Sequence, residues 1–235
     1  MAPWIVLPTY NEAASLERVV AAVRAALPEA RILVVDDRSP DGTGEIAERL
    51  EGVDVLHRSE KAGLGAAYAA GFGRVLEAGA TEVFEMDADG SHDATDLPRL
   101  LAAVRGGADV ALGSRYVSGG GVENWPLLRR AVSRGGCLYA RTVLRVPVRD
   151  LTGGFKCFRA GALPAIDYTT IRSHGYAFQV ELTYRALLAG LRVAELPIVF
   201  RERTEGESKM TPRIAVEAAW LVPALRASNW SQARR

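Results

Sequence analysis

The chain is poor in the residues that build disulfides, metal cages and redox centres. Its 235 residues include two cysteines and three histidines. Cys137 and Cys157 show neither paired-thiol nor zinc spacing, and His57, His92 and His174 are scattered, so a disulfide framework and a zinc site are both unsupported. No uncharged apolar run approaches the ~18 residues of a membrane span, and no secretory signal opens the chain. The expected location is therefore the cytoplasm, with any membrane contact peripheral. Internal repeats, low-complexity tracts and linkers are missing too. With 49% hydrophobic and 24% charged residues, the composition is that of an ordinary globular protein. One α/β domain over 1–235 is the economical reading, with a nucleotide half to about residue 113 and an acceptor half beyond it.

A net charge of +1 hides an uneven distribution. Arg115, Arg129, Arg130, Arg134, Arg141, Arg145 and Arg149 face a single acid, Glu123, across the same stretch. A cationic segment on a near-neutral protein suits an anionic partner met at one place, either phosphate or an anionic membrane; the alternative is a solvated helix face. Nucleic acid is disfavoured, because the segment lacks regularly interleaved aromatics.

Short apolar runs alternate with helical spacing through the first half, the pattern of a parallel sheet covered by helices. Strands are expected at Trp4–Leu7, Arg31–Val35, Val53–Leu56, Glu82–Met86 and Val110–Gly113. Helices are expected around Leu16–Val23, Thr43–Leu50, 66–78 and 97–104. After the loop Ser118–Gly121 come a basic helix from Pro126 to Leu144, a helix over 177–188, one strand from Val193 to Phe200, and an apolar helix from Thr211 to about Ala227.

The Glu82–Met86 strand, expected to be half-buried, ends in Asp87-Ala88-Asp89. Residues i and i+2 of a strand point to one face, so both carboxylates can reach one point beyond the strand's C-terminal edge, where ligands of open α/β sheets collect. Mg²⁺ or Mn²⁺ takes one or two carboxylates and completes its shell with phosphates and water. Turn or helix-capping chemistry is the other use of such a pair. Gly63-Leu-Gly65 before a helix invites a dinucleotide reading. It fails because Tyr68 holds the third fingerprint position and no acidic ribose ligand follows. Asp87, Asp89 and Asp93 lack the central Gly and closing Glu of a calcium loop.

Six segments in order carry a resemblance: Leu7-Pro-Thr-Tyr-Asn-Glu12, Val34-Val-Asp-Asp-Arg-Ser-Pro-Asp-Gly-Thr43, Met86-Asp-Ala-Asp-Gly90, Gly113-Ser-Arg-Tyr116, Asp150-Leu-Thr-Gly-Gly-Phe155 and Gly206-Glu-Ser-Lys209. From about Trp4 to Met210 the chain resembles the dolichol-phosphate (polyprenol-phosphate) mannosyltransferases of glycosyltransferase family 2. The resemblance implies a GT-A fold, a Rossmann-like and mainly parallel sheet flanked by helices. It implies GDP-mannose as donor, a divalent metal (Mg²⁺ or Mn²⁺), and inverting transfer to a polyprenyl or dolichyl phosphate. Another sugar nucleotide, such as UDP-glucose, is the alternative donor.

The same resemblance assigns roles. Pro8, Tyr10 and Glu12, with Val35 and Asp37, correspond to the nucleoside pocket. Asp87, Ala88 and Asp89 correspond to the metal and diphosphate segment, with Ser91 where many relatives carry Gln. Arg115, Arg129 and Ser133 correspond to the acceptor-phosphate site, and Arg129 and Ser133 share a helix face at i, i+4. Arg203 and Lys209 correspond to a basic pair over the donor diphosphate. Trp125, Leu127 and Leu128 beside Arg129, Arg130 and Arg134 suggest an amphipathic element at an anionic bilayer. Some family members carry C-terminal membrane helices; here docking on the cytoplasmic face is expected to be peripheral or through a membrane-anchoring partner.

Overall fold

A computed structural model describes residues 2–171, 173, 175–202 and 220–227. The expected alternation is present. Strand β1 (Trp4–Thr9) leads to α1 (Leu16–Ala26), β2 (Arg31–Asp36), α2 (Thr43–Arg49), β3 (Val53–His57), α3 (Leu64–Glu77), β4 (Glu82–Glu85), α4 (Leu97–Arg105) and β5 (Val110–Ser114). Then follow β6 (Gly121–Glu123), α5 (Leu127–Leu144), β7 (Lys156–Arg159), α6 (Ala162–Ile166), α7 (Tyr176–Leu188), β8 (Val193–Pro197) and β9 (Val199–Arg201). The run read as one strand over 193–200 is two. Its first part joins the main sheet, and its second pairs with β6 in a separate two-stranded sheet.

The main sheet has the order β3-β2-β1-β4-β7-β5-β8. Every pairing in it is parallel except those of β7, which runs antiparallel to both β4 and β5. Alternate residues of β1 and β2 are buried on opposite faces. Ile5, Leu7, Ile32 and Val34 pack under α1 and α4, while Trp4, Val6, Leu33 and Val35 pack under α3. Covered on both sides, such strands read as continuous apolar runs, which is why the sequence exposed them so clearly. β4 is likewise wholly buried rather than half-buried, although two of its four residues are glutamates. Glu85 is neutralised by Lys156 at 2.6 Å.

α3 lies close on the sheet because Gly71 faces it without a side chain. A Cβ there would stand 2.5 Å from Val6 Cγ1 and 3.0 Å from Val35 Cγ2. Gly71→Ala is expected to cost about 1–3 kcal/mol through overpacking. An unchanged thermal midpoint would show that α3 can lift away freely.

A third cluster joins α5, α7 and residues 220–227. Leu112, Ala140, Leu144, Val180 and Tyr184 pack there with Val222 and the partly buried Leu225. Residues 220–227 are helical. Core packing thus accounts for Val222, while Trp220 is exposed. The rest of the expected Thr211–Ala227 helix lies outside the described residues. Both cysteines are buried and free.

Candidate active site

The strand order lays the expected site residues along one edge. Asp37 follows β2, Pro8 and Tyr10 lie at the end of β1 and just beyond it, Asp87 to Ser91 follow β4, and Arg115 follows β5. Because β7 runs the other way, its preceding loop, Thr152-Gly-Gly154, arrives at that same edge. A cavity of about 350 Å³ runs along it, and all of these residues except Gly90 line it.

At the β1–β2 end, Asp37 is almost buried and paired to Arg58 at 2.6 Å. Burial raises the Asp37 pKa, against the opposing pull of Arg58. The Lys61 ammonium lies 3.6 Å from the centre of the Tyr10 ring. Asp36 and Asp41 do the loop-building work. Asp36 accepts from Thr9 and Ser39, and Asp41 accepts from the backbone of Ala13 and Thr43, fixing the turns around Glu12. Val35 is placed differently. Its side chain is fully buried in the sheet beneath α3 and is not part of the cavity wall.

In the middle, Asp87, Ala88 and Asp89 form the wall with Ser91. The Ser91 N–H donates to Asp89 Oδ1 at 2.9 Å, and the Tyr68 hydroxyl lies 3.4 Å from Asp87 Oδ1. Burial, with the charges of Asp89 and Glu85 nearby, pushes the Asp87 carboxyl up to about 7. Two crowded carboxylates beside a third buried one make a place that a cation would relieve. Among the described residues no group of three or more His, Cys, Asp or Glu side chains forms a cage. His92, unassigned by the sequence, stacks on Phe155 at 4.8 Å and accepts the Asp87 N–H through Nδ1. Burial, with lesser repulsion from Arg115 and Lys156, holds its pKa at about 4, so it is the neutral acceptor this bond requires.

At the β5 end, Arg115 is buried and fully engaged. It donates twice to the Asp150 carboxylate at 2.7 Å, and to Thr152 Oγ1 at 2.7 Å. Burial works against both charges, yet the attraction of Arg115 keeps the Asp150 pKa low. Arg129 bonds Glu202 at 2.5 Å and stacks on Trp125. Trp125 corrects the sequence expectation of a bilayer-facing residue. It is 7% exposed and forms part of the cavity wall, because Arg129 and Phe200 cover its ring. Ser133 lies one turn along α5, takes the Tyr116 hydroxyl at 2.7 Å, and is outside the cavity lining. Arg203, Lys209 and His174 lie outside the described residues.

The sequence model of Glycosyl transferase family 2 matches residues 4–166, from β1 to the end of α6. The chain belongs to glycosyltransferase family 2. Polyprenol monophosphomannose synthase of Mycolicibacterium smegmatis is 48% identical over 93% of this chain and 84% of that protein. Undecaprenyl-phosphate mannosyltransferase of Micrococcus luteus is 47% identical over 98% and 94% respectively. Dolichol-phosphate mannosyltransferase of Pyrococcus furiosus is 34% identical, covering 91% of this chain and 60% of its own. These relatives bear out the resemblance read from the six segments. A solved structure, glucosyl-3-phosphoglycerate synthase from Mycobacterium tuberculosis with Mn²⁺ and UDP-glucose, shares the fold at a TM-score of 0.71 and 17% identity, over 96% of this chain and 80% of that one. The architecture is the expected GT-A fold.

Several residues of this family 2 site carried no sequence signal of their own. Gln179 lines the cavity from α7, its Oε1 accepting from Lys156 Nζ, which also donates to Gly153 O at 2.6 Å. An ammonium has only donors, so this contact fixes which way the amide faces. Gly63 and Leu64, from the segment discounted as a dinucleotide fingerprint, also form part of the wall. Gly65 serves packing instead: a Cβ there would stand 2.7 Å from the Phe178 ring.

Proposed function

We propose that this enzyme transfers mannose, with inversion, from GDP-mannose to the monophosphate of a polyprenyl lipid, as a dolichyl-phosphate β-D-mannosyltransferase does. One observation carries the reading: a single cavity joins Pro8, Tyr10, Glu12 and Asp37 beyond β1 and β2, two carboxylates beyond β4, and two arginines beside Trp125 beyond β5. Donor base, diphosphate and acceptor phosphate would lie along the edge in that order. The relatives named above supply the sugar and the lipid class.

Asp87 and Asp89, with Ser91 nearby, would hold Mg²⁺ or Mn²⁺. When bound, such an ion supplies charge neutralisation for the departing diphosphate. Pro8, Tyr10, Glu12 and Asp37 orient the nucleoside. Arg203 and Lys209 would add positive charge over the diphosphate. Arg115, Arg129 and Ser133 belong to the acceptor end, where Arg115 sets the local field and Arg129 meets the phosphate. Attack by a phosphate oxygen on the anomeric carbon breaks the bond to the GDP oxygen. The nucleophile is already an anion at neutral pH, its second pKa being near ~6, so no side chain need remove a proton. The carboxylates beside the arginines, Asp150 and Glu202, are tied up as their partners. The residues therefore act by position and charge.

Incubating the purified protein with Mg²⁺, polyprenyl phosphate and labelled GDP-mannose or UDP-glucose, then extracting into organic solvent, tests this directly. Lipid label from GDP-mannose alone is the expected result. Label only from UDP-glucose would overturn the sugar, and label from neither would overturn the acceptor.

A lipid acceptor also gives α5 a use. Leu127, Leu128, Val132 and Leu138 are exposed, with Leu127 at 81% and Leu128 at 76%. Arg130, Arg134 and Arg145 are exposed beside them. No helix among the described residues is long and apolar enough to cross a membrane. The amphipathic start of α5 would instead rest on an anionic leaflet at its cytoplasmic face, alone or with an anchoring partner. Leu127→Ser/Leu128→Ser is expected to lower binding to phosphatidylglycerol-containing vesicles about tenfold or more, since burying a leucine is worth about 1.5–3 kcal/mol. Thermal stability should hold. Unchanged sedimentation with vesicles would remove α5 from this role.

A further inference from the structure

Among the described residues, five side-chain polar atoms are buried without a hydrogen-bond partner, and two of them lie on stacked neighbours at the acceptor end of the cavity. One is the indole N–H of Trp125. The other is the Nε–H of Arg129, whose guanidinium carbon lies 4.1 Å from the centre of the Trp125 ring. Both residues line the cavity wall. Folded proteins rarely leave buried donors unmatched, because each forfeits its bonds to water with no return.

The chemistry of the missing partner follows from the two atoms. An indole nitrogen and a guanidinium nitrogen only donate, so the partner must be an acceptor. A third group narrows it further: the Arg115 guanidinium lies 5.7 Å from the same indole ring. Both guanidiniums already have a carboxylate partner, Asp150 and Glu202, so the two open donors rather than unpaired charge define what is missing: a ligand with several acceptor oxygens, of which a phosphate beside these arginines is the fitting class. Packing alone does not call for tryptophan here, because the edge contact with Phe200 and the stack with Arg129 could both be made by a phenylalanine ring. What tryptophan adds is the N–H.

We propose that Trp125 donates its indole N–H, alongside Arg129 Nε–H, to the terminal phosphate of the lipid acceptor. This rests on the acceptor reading above and deepens it, making Trp125 a substrate-contacting residue that selects a phosphate monoester over an alcohol. A monoester's oxygens satisfy both donors. A prenyl alcohol has one neutral oxygen for both donors to share and forms only neutral-acceptor bonds, about half as strong as those to a charged phosphate oxygen, so the site favours the monoester. The donor diphosphate is the wrong candidate for this place, since the carboxylates beyond β4 lie between it and the nucleoside end.

The test compares wild type with Trp125→Phe, which keeps the ring and loses the N–H. Binding of farnesyl phosphate and of farnesol is measured by calorimetry, alongside steady-state transfer with each substrate varied in turn. Wild type should bind farnesyl phosphate and not farnesol. Trp125→Phe should weaken farnesyl phosphate binding, and lower acceptor kcat/KM, by roughly 10- to 100-fold, the worth of one hydrogen bond to a charged group. KM for GDP-mannose and the thermal midpoint should not move. Equal farnesyl phosphate affinity in the two proteins would overturn the proposal, as would a loss shared by both substrates with a lowered midpoint. If wild type binds farnesyl phosphate but transfers nothing from GDP-mannose, the calorimetry still decides the role of Trp125, and the sugar assignment alone falls.

Discussion

Asp89→Ala is expected to lower lipid-linked sugar formation by about 10³-fold or more, since a lost centre of charge neutralisation costs several kcal/mol in the transition state. The carboxylate lies past the end of a strand buried on both faces, and the Ser91 N–H anchors one of its oxygens. It is therefore pre-positioned rather than recruited. Asp89 is only partly buried, so the loss should appear chiefly in kcat, with little change in the thermal midpoint. Full activity in Asp89→Ala, with metal still required, would sink the assignment.

Arg115→Ala should fail in a different way. The sequence presents Arg115 as an acceptor ligand, but in the structure it is a buried cation whose Nε and Nη2 both donate to a buried Asp150. Removing one partner of such a pair costs about 3–5 kcal/mol, because the other charge is left in low dielectric. For a chain of this size that is a fall of about 10 °C in the unfolding midpoint, superimposed on any loss of acceptor use. The pH dependence gives a sharper signature. In wild type the folded-state Asp150 pKa lies below its usual value, so this stabilisation is present above about 4 and is lost as pH falls through the lower folded pKa. Without the Arg115 guanidinium, burial is opposed by no more than hydrogen bonds such as those that remain from the residue 115 N–H and Cys137, so the Asp150 pKa rises and the variant's stability deficit should shrink as pH falls. A deficit that is the same at every pH would show that Asp150 is not left charged. Arg115→Met/Asp150→Leu should recover much of the midpoint without recovering transfer.

The parts of the fold that could be read from sequence were those in which burial writes a period. β1, β2 and β5 are apolar runs because both faces are covered, and α1 and α4 carry apolar stripes. β7 was not readable, only the Asp150–Phe155 motif before it, since four residues give no period and its antiparallel direction depends on a connection, through α5, that composition does not encode. The division of 193–201 between two sheets is also tertiary: β8 follows β5 and β9 follows β6.

At the site, Pro8, Tyr10, Glu12, Asp37, Asp87, Asp89, Arg115 and Arg129 were readable through ordered motifs, and the topology gathers them. Trp125 was misread because a tryptophan beside leucines and arginines looks the same whether its ring turns toward lipid or inward. His92, Lys156 and Gln179 were invisible because their roles depend on what lies across the sheet. Lys156 bridges Glu85 on β4 and Gln179 on α7, a juxtaposition with no footprint in local sequence.

The reversed strand has a consequence for the order in which the protein can be made. β4 holds β1 on one side and β7 on the other, and β7 begins only at Lys156. While the chain is being synthesised from its N-terminus, β4 keeps one open edge until about two thirds of the polypeptide has emerged, and β5 has no link to the growing sheet. The first 113 residues thus leave the main sheet without β7 and β8. Closure of the sheet is a late, long-range event, of the kind that slows folding and exposes unpaired edges meanwhile. The carboxylates beyond β4 acquire their final surroundings only when the chain threads back, as β7, between β4 and β5, the strands that came before it.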